Sequence, residues 1–393
     1  MTGQILPRDT MRSLPGWSQP FWSWLTAKPL IEQLDTRRSK TPLYHIVVSA
    51  LLLATGIALS VLGAIQGLYG LLPFGFILAT AGTKQFQVMI CHQAVHDMVL
   101  DGKRANEILG TVISSALMLK PFRTYKSEHV HHHDHQSLLT DLDDTLTFLR
   151  DNVGLRTSDT VAQMWTKLVI HAFSPIAMVR SVWGRVAATV LQPNRKVAAL
   201  TIGAWGIGIG AAIWAGGLHI FLLAYALPVF VGYHICTTFR LAAEHTWPPV
   251  EVLRARGIAF IAESTTGVFI GEPLNIPDNA SRLMRFHLTS IWLVRMLSYH
   301  LFIRLFVMVG DTPCHDFHHR RPRSREWPNY VTAREADRLK GSKPFPSNYL
   351  DFWGYGNAVT NNFQSFQLAA DYYDQTEARN PSQHTTNEKE VFA

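Results

Sequence analysis

The chain has 393 residues, enough for one large domain or two ordinary ones, and is 47% hydrophobic but only 17% charged. Soluble proteins carry about a quarter of their residues charged, so this balance argues against an ordinary soluble fold and predicts membrane segments. The formal net charge of +7 is spread without a dense basic tract, which argues against a nucleic-acid partner and for contact with anionic headgroups.

Residues 1–43 are polar and broken by Leu14-Pro15-Gly16-Trp17. They lack the short apolar run of a cleavable signal, so the first hydrophobic stretch is expected to stay in the mature protein. About 20 apolar residues cross a bilayer core. Residues 44–65 fit, Gln66-Gly67 makes a turn, and 68–83 continues as a second span. A second hairpin is predicted from 197–215, a turn at Gly216-Gly217, and 218–237. Arg180 and Arg185 interrupt 167–192, and Arg285, Arg295 and Arg304 interrupt 284–309. Arginine is costly at the bilayer centre, so both segments read as amphipathic helices at the interface.

Lys28, Arg37, Arg38 and Lys40 precede the first span, Lys84, Lys103, Arg104, Lys120, Arg123 and Lys126 follow the second, Arg195 and Lys196 precede the third, and Arg240 follows the fourth. The two turns are uncharged. Both termini are therefore expected on the cytoplasmic side. The expected fold class is all-α: four transmembrane helices in two hairpins, with a cytoplasmic helical cap holding a di-metal site. The domain reading is a cytoplasmic segment 1–43, a membrane domain 44–322 and a cytoplasmic extension 323–393, disordered beyond about Gln375. Cys91, Cys236 and Cys314 are odd in number and widely spaced, without C-x-x-C. That pattern argues against a disulfide framework or an iron–sulfur site of the chain's own.

The residues that carry chemistry are histidines. Ten fall in three short runs: His92-Gln-Ala-Val-His96, His129-Val-His131-His132-His133-Asp-His135, and His315-Asp-Phe-His318-His319. The first is H-x-x-x-H and the others each contain H-x-x-H-H. Helical spacing of three and four puts imidazoles on one face, and imidazole ligates Zn, Cu and Fe. A cluster this large can hold more than one metal. Asp311-Thr312-Pro313 offers a cap and a first-turn proline for a short helix that Pro322 stops, leaving His315, His318 and His319 on one face. Glu244-His245 lies just past the fourth span, aimed at the same cytoplasmic cap.

Span order and box order over residues 44–322 resemble the membrane fatty acid desaturase superfamily, the integral-membrane di-iron enzymes with three histidine boxes. The resemblance implies that His92 and His96, His129, His132 and His133, and His315, His318 and His319 ligate metal. It adds His245, in Arg240-Leu-Ala-Ala-Glu244-His245, as a ninth ligand of two iron ions. It also implies O2 as co-substrate, a lipid or fatty acyl substrate in the bilayer, and electrons from an external ferredoxin or cytochrome. Many relatives carry asparagine shortly before the last box, where this chain has Asp311-Thr312-Pro313-Cys314. The chemistry agrees: removing hydrogen from an unactivated C–H needs an oxidant that side chains do not provide and that two irons with O2 do.

The expected function is a fatty acid desaturase that introduces a C=C bond. A hydroxylase or an alkene-forming fatty acid decarboxylase of the same superfamily is the alternative. A zinc hydrolase is more distant, since H-x-H-x-D-H fails at Val130. A metal transporter is equally distant, since the spans hold few ionisable side chains. Asp97, Glu128, Asp134, Glu244 and Asp316 adjoin the boxes as candidates to orient imidazoles. Asp141, Asp143 and Asp144 read as a solvated loop. His131 and His135 read as exposed, His219 and His234 as packed within a span, and His45 and His171 as interfacial without partners. His287 and His300 are candidates between Glu244-His245 and the last box. Arg320, Arg321, Arg323 and Arg325 are candidates to dock an acidic electron donor or anionic lipid.

Overall fold

The computed structural model of the chain describes residues 6–35 and 39–379, with side chains to 374. Arg37, Arg38 and the tail after Arg379 lie outside the described residues.

Helix α1, Pro42–Ile65, starts where Thr41 accepts the Tyr44 amide and Pro42 occupies the first turn. It ends at Gly67, whose φ of +69° makes the turn that the sequence predicts. Helix α2, Leu72–Gln85, runs back against α1. The two backbones touch through small residues. A Cβ at Gly56 would lie 2.2 Å from the Ala79 nitrogen, and one at Gly82 would lie 2.4 Å from that of Leu53. Without pause α2 passes through a π-helical turn, Phe86–Cys91, into His92–Val95. The extra residue of such a turn rotates the next stretch of helix by about 100°, which re-aims the first box while the helix stays continuous.

Beyond this come α3 (Lys103–Ala116), α4 (Phe122–His133), α5 (Val161–Phe173), α6 (Pro175–Leu191), α7 (Arg195–Trp214) and α8 (Leu218–Ala242). Thr160 and Ser174 cap α5 and α6 through their hydroxyls, and Asn194 caps α7. Further along come α9 (Arg282–Val307), α10 (His315–Arg320), α11 (Tyr330–Leu339), α12 (Tyr355–Leu368) and α13 (Ala370–Arg379), with shorter helices between the named ones. Helix α13 carries the chain past Gln375, where composition predicts the tail to begin.

The chain is mostly helical, with one departure from the all-α expectation. Strands β1 (Gly267–Phe269) and β2 (Asp351–Trp353) pair in parallel, Gly267 opposite Asp351 and Phe269 opposite Trp353. Three residues each leave no alternating pattern to detect. The pair ties the C-terminal segment to the interior: Tyr355, Val359, Phe363 and Phe366 are buried in the same core as Val88 and Ile90.

Among the described residues, four helices are long and apolar enough to cross a membrane: α1, α7, α8 and α9. This set differs from the expected one at two helices. Residues 72–85 form helix as expected, but α2 is 14 residues long and small or polar from Ala79 to Gln85, and is not in the set. Residues 284–309, expected at the interface, do enter it within α9. The Arg304 guanidinium there turns inward to the carbonyl oxygens of Trp24 and Gly310 and the Tyr330 hydroxyl, while Leu283, Phe286 and Val294 face outward.

Candidate metal centre

Four separate pieces of chain deliver the imidazoles. His92 and His96 close the extension of α2, and His129, His132 and His133 occupy the last turn and a half of α4. His245 follows the end of α8, and His315, His318 and His319 lie on α10. The last helix begins as anticipated, with Pro313 in a 3₁₀ turn, but Asp311 does not cap it. The Asp311 carboxylate instead accepts from Gln93 Nε2 at 3.3 Å, and burial raises its pKa to about 7.

The structure brings these nine together in two adjoining groups. His92, His96, His129, His133 and His318 form one, and His132, His245, His315 and His319 the other, with the ligand atoms of each group within 4.8 Å of one another. Adjacent His132 and His133, about 100° apart on the helix, go to different groups. Burial, joined by neighbouring imidazoles, holds His129, His133, His318 and His319 well below the usual imidazole range, and brings His92 to about 3. Rings of this kind are neutral, the form that ligates metal.

The donor set fits a metal in each group. Nε2 atoms face one another at 3.0 Å between His96 and His129, 2.8 Å between His133 and His318, 3.1 Å between His132 and His245, and 3.0 Å between His315 and His319. A metal about 2.1 Å from two imidazole nitrogens at a right angle holds them about 3.0 Å apart. His132 Nδ1 donates to Asp143 at 3.0 Å and His245 Nδ1 donates to the Ser264 carbonyl at 3.1 Å. With Nδ1 so engaged, each ring turns to the other an Nε2 that offers a lone pair when deprotonated, so a cation or a proton belongs between them. His92 Nδ1 likewise donates to the Val88 carbonyl, and its buried Nε2 has no hydrogen-bond partner among the described residues.

Asp143 corrects the sequence reading of a solvated loop. It is fully buried, and its carboxylate also accepts the amides of Leu139 and Thr145. Burial alone would lower His132, but the Asp143 carboxylate outweighs it and raises the imidazole to about 9. The available signal was local: Asp143 is the N-cap of the short helix Asp144–Thr147. Asp141 and Asp144 stay exposed, Asp141 paired with Arg150.

Of the carboxylates adjoining the boxes, Glu244 approaches a ligand candidate, 3.3 Å from His315 Nε2. Burial opposes its charge, but Arg240, paired with it, holds it far below the usual carboxylate range. Asp97 pairs with Lys126 and Glu128 with Lys120, Asp134 accepts from Ser137, and Asp316 binds Arg334. His131 is exposed and His135 accepts the Gly257 amide, both outside the two groups. His300 lies 3.8 Å from Glu272. His45 and His171 do have partners: His45 Nε2 donates to the Pro328 carbonyl, and the His171 ring lies 5.3 Å from that of His234. His219 is exposed rather than packed. Two of the four docking arginines are committed internally. Arg320 is buried, donating to the carbonyls of Ala262, Ser347 and Asn348, and Arg321 pairs with Asp337. Arg323 and Arg325 remain exposed.

A cavity of about 390 Å³ reaches both groups, touching His92 and His129 of one and His132 and His315 of the other. Tyr125, Phe148 and Tyr233 contribute aromatic wall, Lys120 and Arg240 positive charge. Such a volume suits a small ligand or a segment of a longer one.

A family model described as fatty acid desaturase matches residues 66–344, a stretch that contains all nine imidazoles. No curated protein matches the chain.

Proposed function

The chain belongs to the fatty acid desaturase family, and on that premise we propose that it is an O2-dependent membrane oxidoreductase that introduces a C=C bond into a lipid acyl chain. The observation that carries this reading is the gathering of nine imidazoles into adjoining groups of five and four that open on one cavity. We assign one iron to each group. Two bound irons supply, with O2, an oxidant able to take hydrogen from an unactivated C–H. In the balanced reaction a –CH2–CH2– unit loses two hydrogens. O2, with two electrons from an external donor and two protons from solvent, leaves as two waters. A ferredoxin or a small cytochrome is the class of donor, with Arg323 and Arg325 as exposed charges for its acidic face.

The chain's own groups prepare the site. The nine imidazoles hold the metals, and Asp143 fixes the ring plane and tautomer of His132. Arg240 keeps Glu244 ionised beside His315. Tyr125, Phe148 and Tyr233 enclose the reacting part of the acyl chain and exclude water. We place the pairs α1/α2 and α7/α8 as two membrane hairpins and the outward apolar side of α9 against the bilayer. The boxes and both termini are then cytoplasmic, and the catalytic domain 44–322 is flanked by 1–43 and 323–393 on that side.

Expression in a lipid-profiled host tests the reading, with mass spectrometry of acyl chains and metal analysis of the purified protein. The expected result is acyl chains two hydrogens lighter and iron near two per chain. Stoichiometric zinc as the activity-supporting metal would overturn the di-iron assignment, and oxygenated acyl chains alone would overturn desaturation.

A further inference from the structure

A second cavity, about 380 Å³, lies between α3, α4, α6 and α7. It uses Arg123, Thr124 and Ser127 of α4, whereas the metal-facing cavity uses Tyr125, His129 and His132. The two cavities therefore open on different faces of that helix. Seven of its sixteen lining residues are serine or threonine. Three of these are almost fully buried: Ser114, Thr189 and Thr201. Thr189 is satisfied by the Arg185 carbonyl. Thr201 is 2% exposed and its hydroxyl has no hydrogen-bond partner among the described residues. A buried hydroxyl left unpaired is costly, so this one calls for a ligand.

Two helix N-termini meet at the same cavity. Helix α4 begins at Phe122 without a side-chain cap, since its N-cap is Pro121, and Phe122, Arg123 and Thr124 all line the space. The first amides of a helix have no acceptor within it. Helix α7 begins there too, but the Asn194 side chain accepts its Val197 amide, so the open amides are those of α4. Each N-terminus carries about half a positive charge, and the open one favours an anion rich in acceptor oxygens, such as a phosphate ester. Arg123 at the rim is paired with Glu107, so the one carboxylate lining the cavity is neutralised.

The position selects the source of that phosphate. Helix α7 is long and apolar enough to cross a membrane. The cavity starts at its first residues and reaches Thr201, about 9 Å further along the axis. At 20 residues α7 is about as long as the hydrocarbon core is thick, so the mouth of the cavity at its first residues lies at the headgroup layer and Thr201 lies below it. We propose that this cavity binds the phosphate-bearing headgroup of a bilayer lipid, the phosphate at the N-terminus of α4 and the glycerol-backbone ester oxygens among the deeper hydroxyls. This site is independent of the metal centre and of the reaction assigned to it.

The test uses the full-length, metal-loaded protein in detergent, with water-soluble dihexanoyl phosphatidylglycerol as probe and native mass spectrometry and calorimetry as readouts. The parent is expected to take up one probe molecule per chain, saturably, and equimolar inorganic phosphate is expected not to displace it. Thr201→Val, which keeps shape and removes the hydroxyl, is expected to weaken binding about fivefold to tenfold. Thr201→Ser is expected to bind within about twofold of the parent, which separates hydroxyl loss from misfolding. Parent-like affinity in Thr201→Val would overturn the site, as would equal loss in both variants. Displacement by inorganic phosphate alone would overturn the lipid assignment in favour of a free-anion site.

Discussion

The Asp143 carboxylate accepts the Nδ1 hydrogen of His132 at 3.0 Å, across eleven residues of chain and at a point with no access to solvent. One oxygen thereby sets both the tautomer and the ring plane of an imidazole whose Nε2 faces that of His245. Removing such a support usually costs about 10–100-fold in metal affinity. Asp143→Leu is expected to lose that much at the group containing His132, and Asp143→Asn, which still accepts the hydrogen but lacks the charge, distinctly less. Competition with a graded chelator series, followed by metal analysis, measures both.

His245 lies in none of the three boxes, yet it is grouped with His132, His315 and His319. His245→Ala is expected to abolish turnover and reduce bound metal from about two to about one per chain, because opening one coordination sphere leaves the other closed. His92→Ala is expected to do the same from the five-histidine group. The exposed His219 serves as control, and its alanine variant should keep activity within about twofold. Full metal content and turnover in His245→Ala would remove it from the ligand set.

Beneath the third box, Arg334 bridges two carboxylates, with Nε 2.8 Å from Asp316 and Nη2 2.7 Å from Asp351. Lys28 completes the group at 2.7 Å from both Asp351 and Glu335. Breaking one member of a buried ion group leaves uncompensated charge and costs about 3–5 kcal/mol. Arg334→Leu should therefore lower the unfolding midpoint strongly. It should also release metal from the group containing His315, the neighbour of Asp316. Chemical unfolding followed by metal release reads both, and an unchanged midpoint would contradict the role given to the network.

The proposed membrane arrangement places Gln66-Gly67 and Gly216-Gly217 outside. Cys91, Cys236 and Cys314 are buried and free, so the native background should be quiet. Cysteine introduced at Gln66 or Gly217 is expected to react with an impermeant reagent applied to intact cells, and cysteine introduced at the exposed Arg325 only after lysis. Labelling of the Arg325 variant in intact cells would reverse the topology.

What the sequence alone determined is local. Histidines three and four apart share a helix face whatever the rest of the fold does, so the three boxes, the short helix at His315 and the turn at Gly67 were legible without coordinates. So was the membrane character of residues 44–65, 197–215 and 218–237, which depends on apolar length alone. The tertiary structure decided what no short spacing encodes. It sent His132 and His133 to different groups, because that choice depends on which helices face α4. It buried Asp143, because a carboxylate eleven residues from its imidazole carries no periodic signal. It turned Arg304 and Arg320 inward, because carbonyl oxygens contributed by distant segments meet their charge. It also paired β1 with β2, since strands of three residues that hydrogen-bond 84 positions apart, as Gly267 and Asp351 do, are defined by their partner rather than by their own composition.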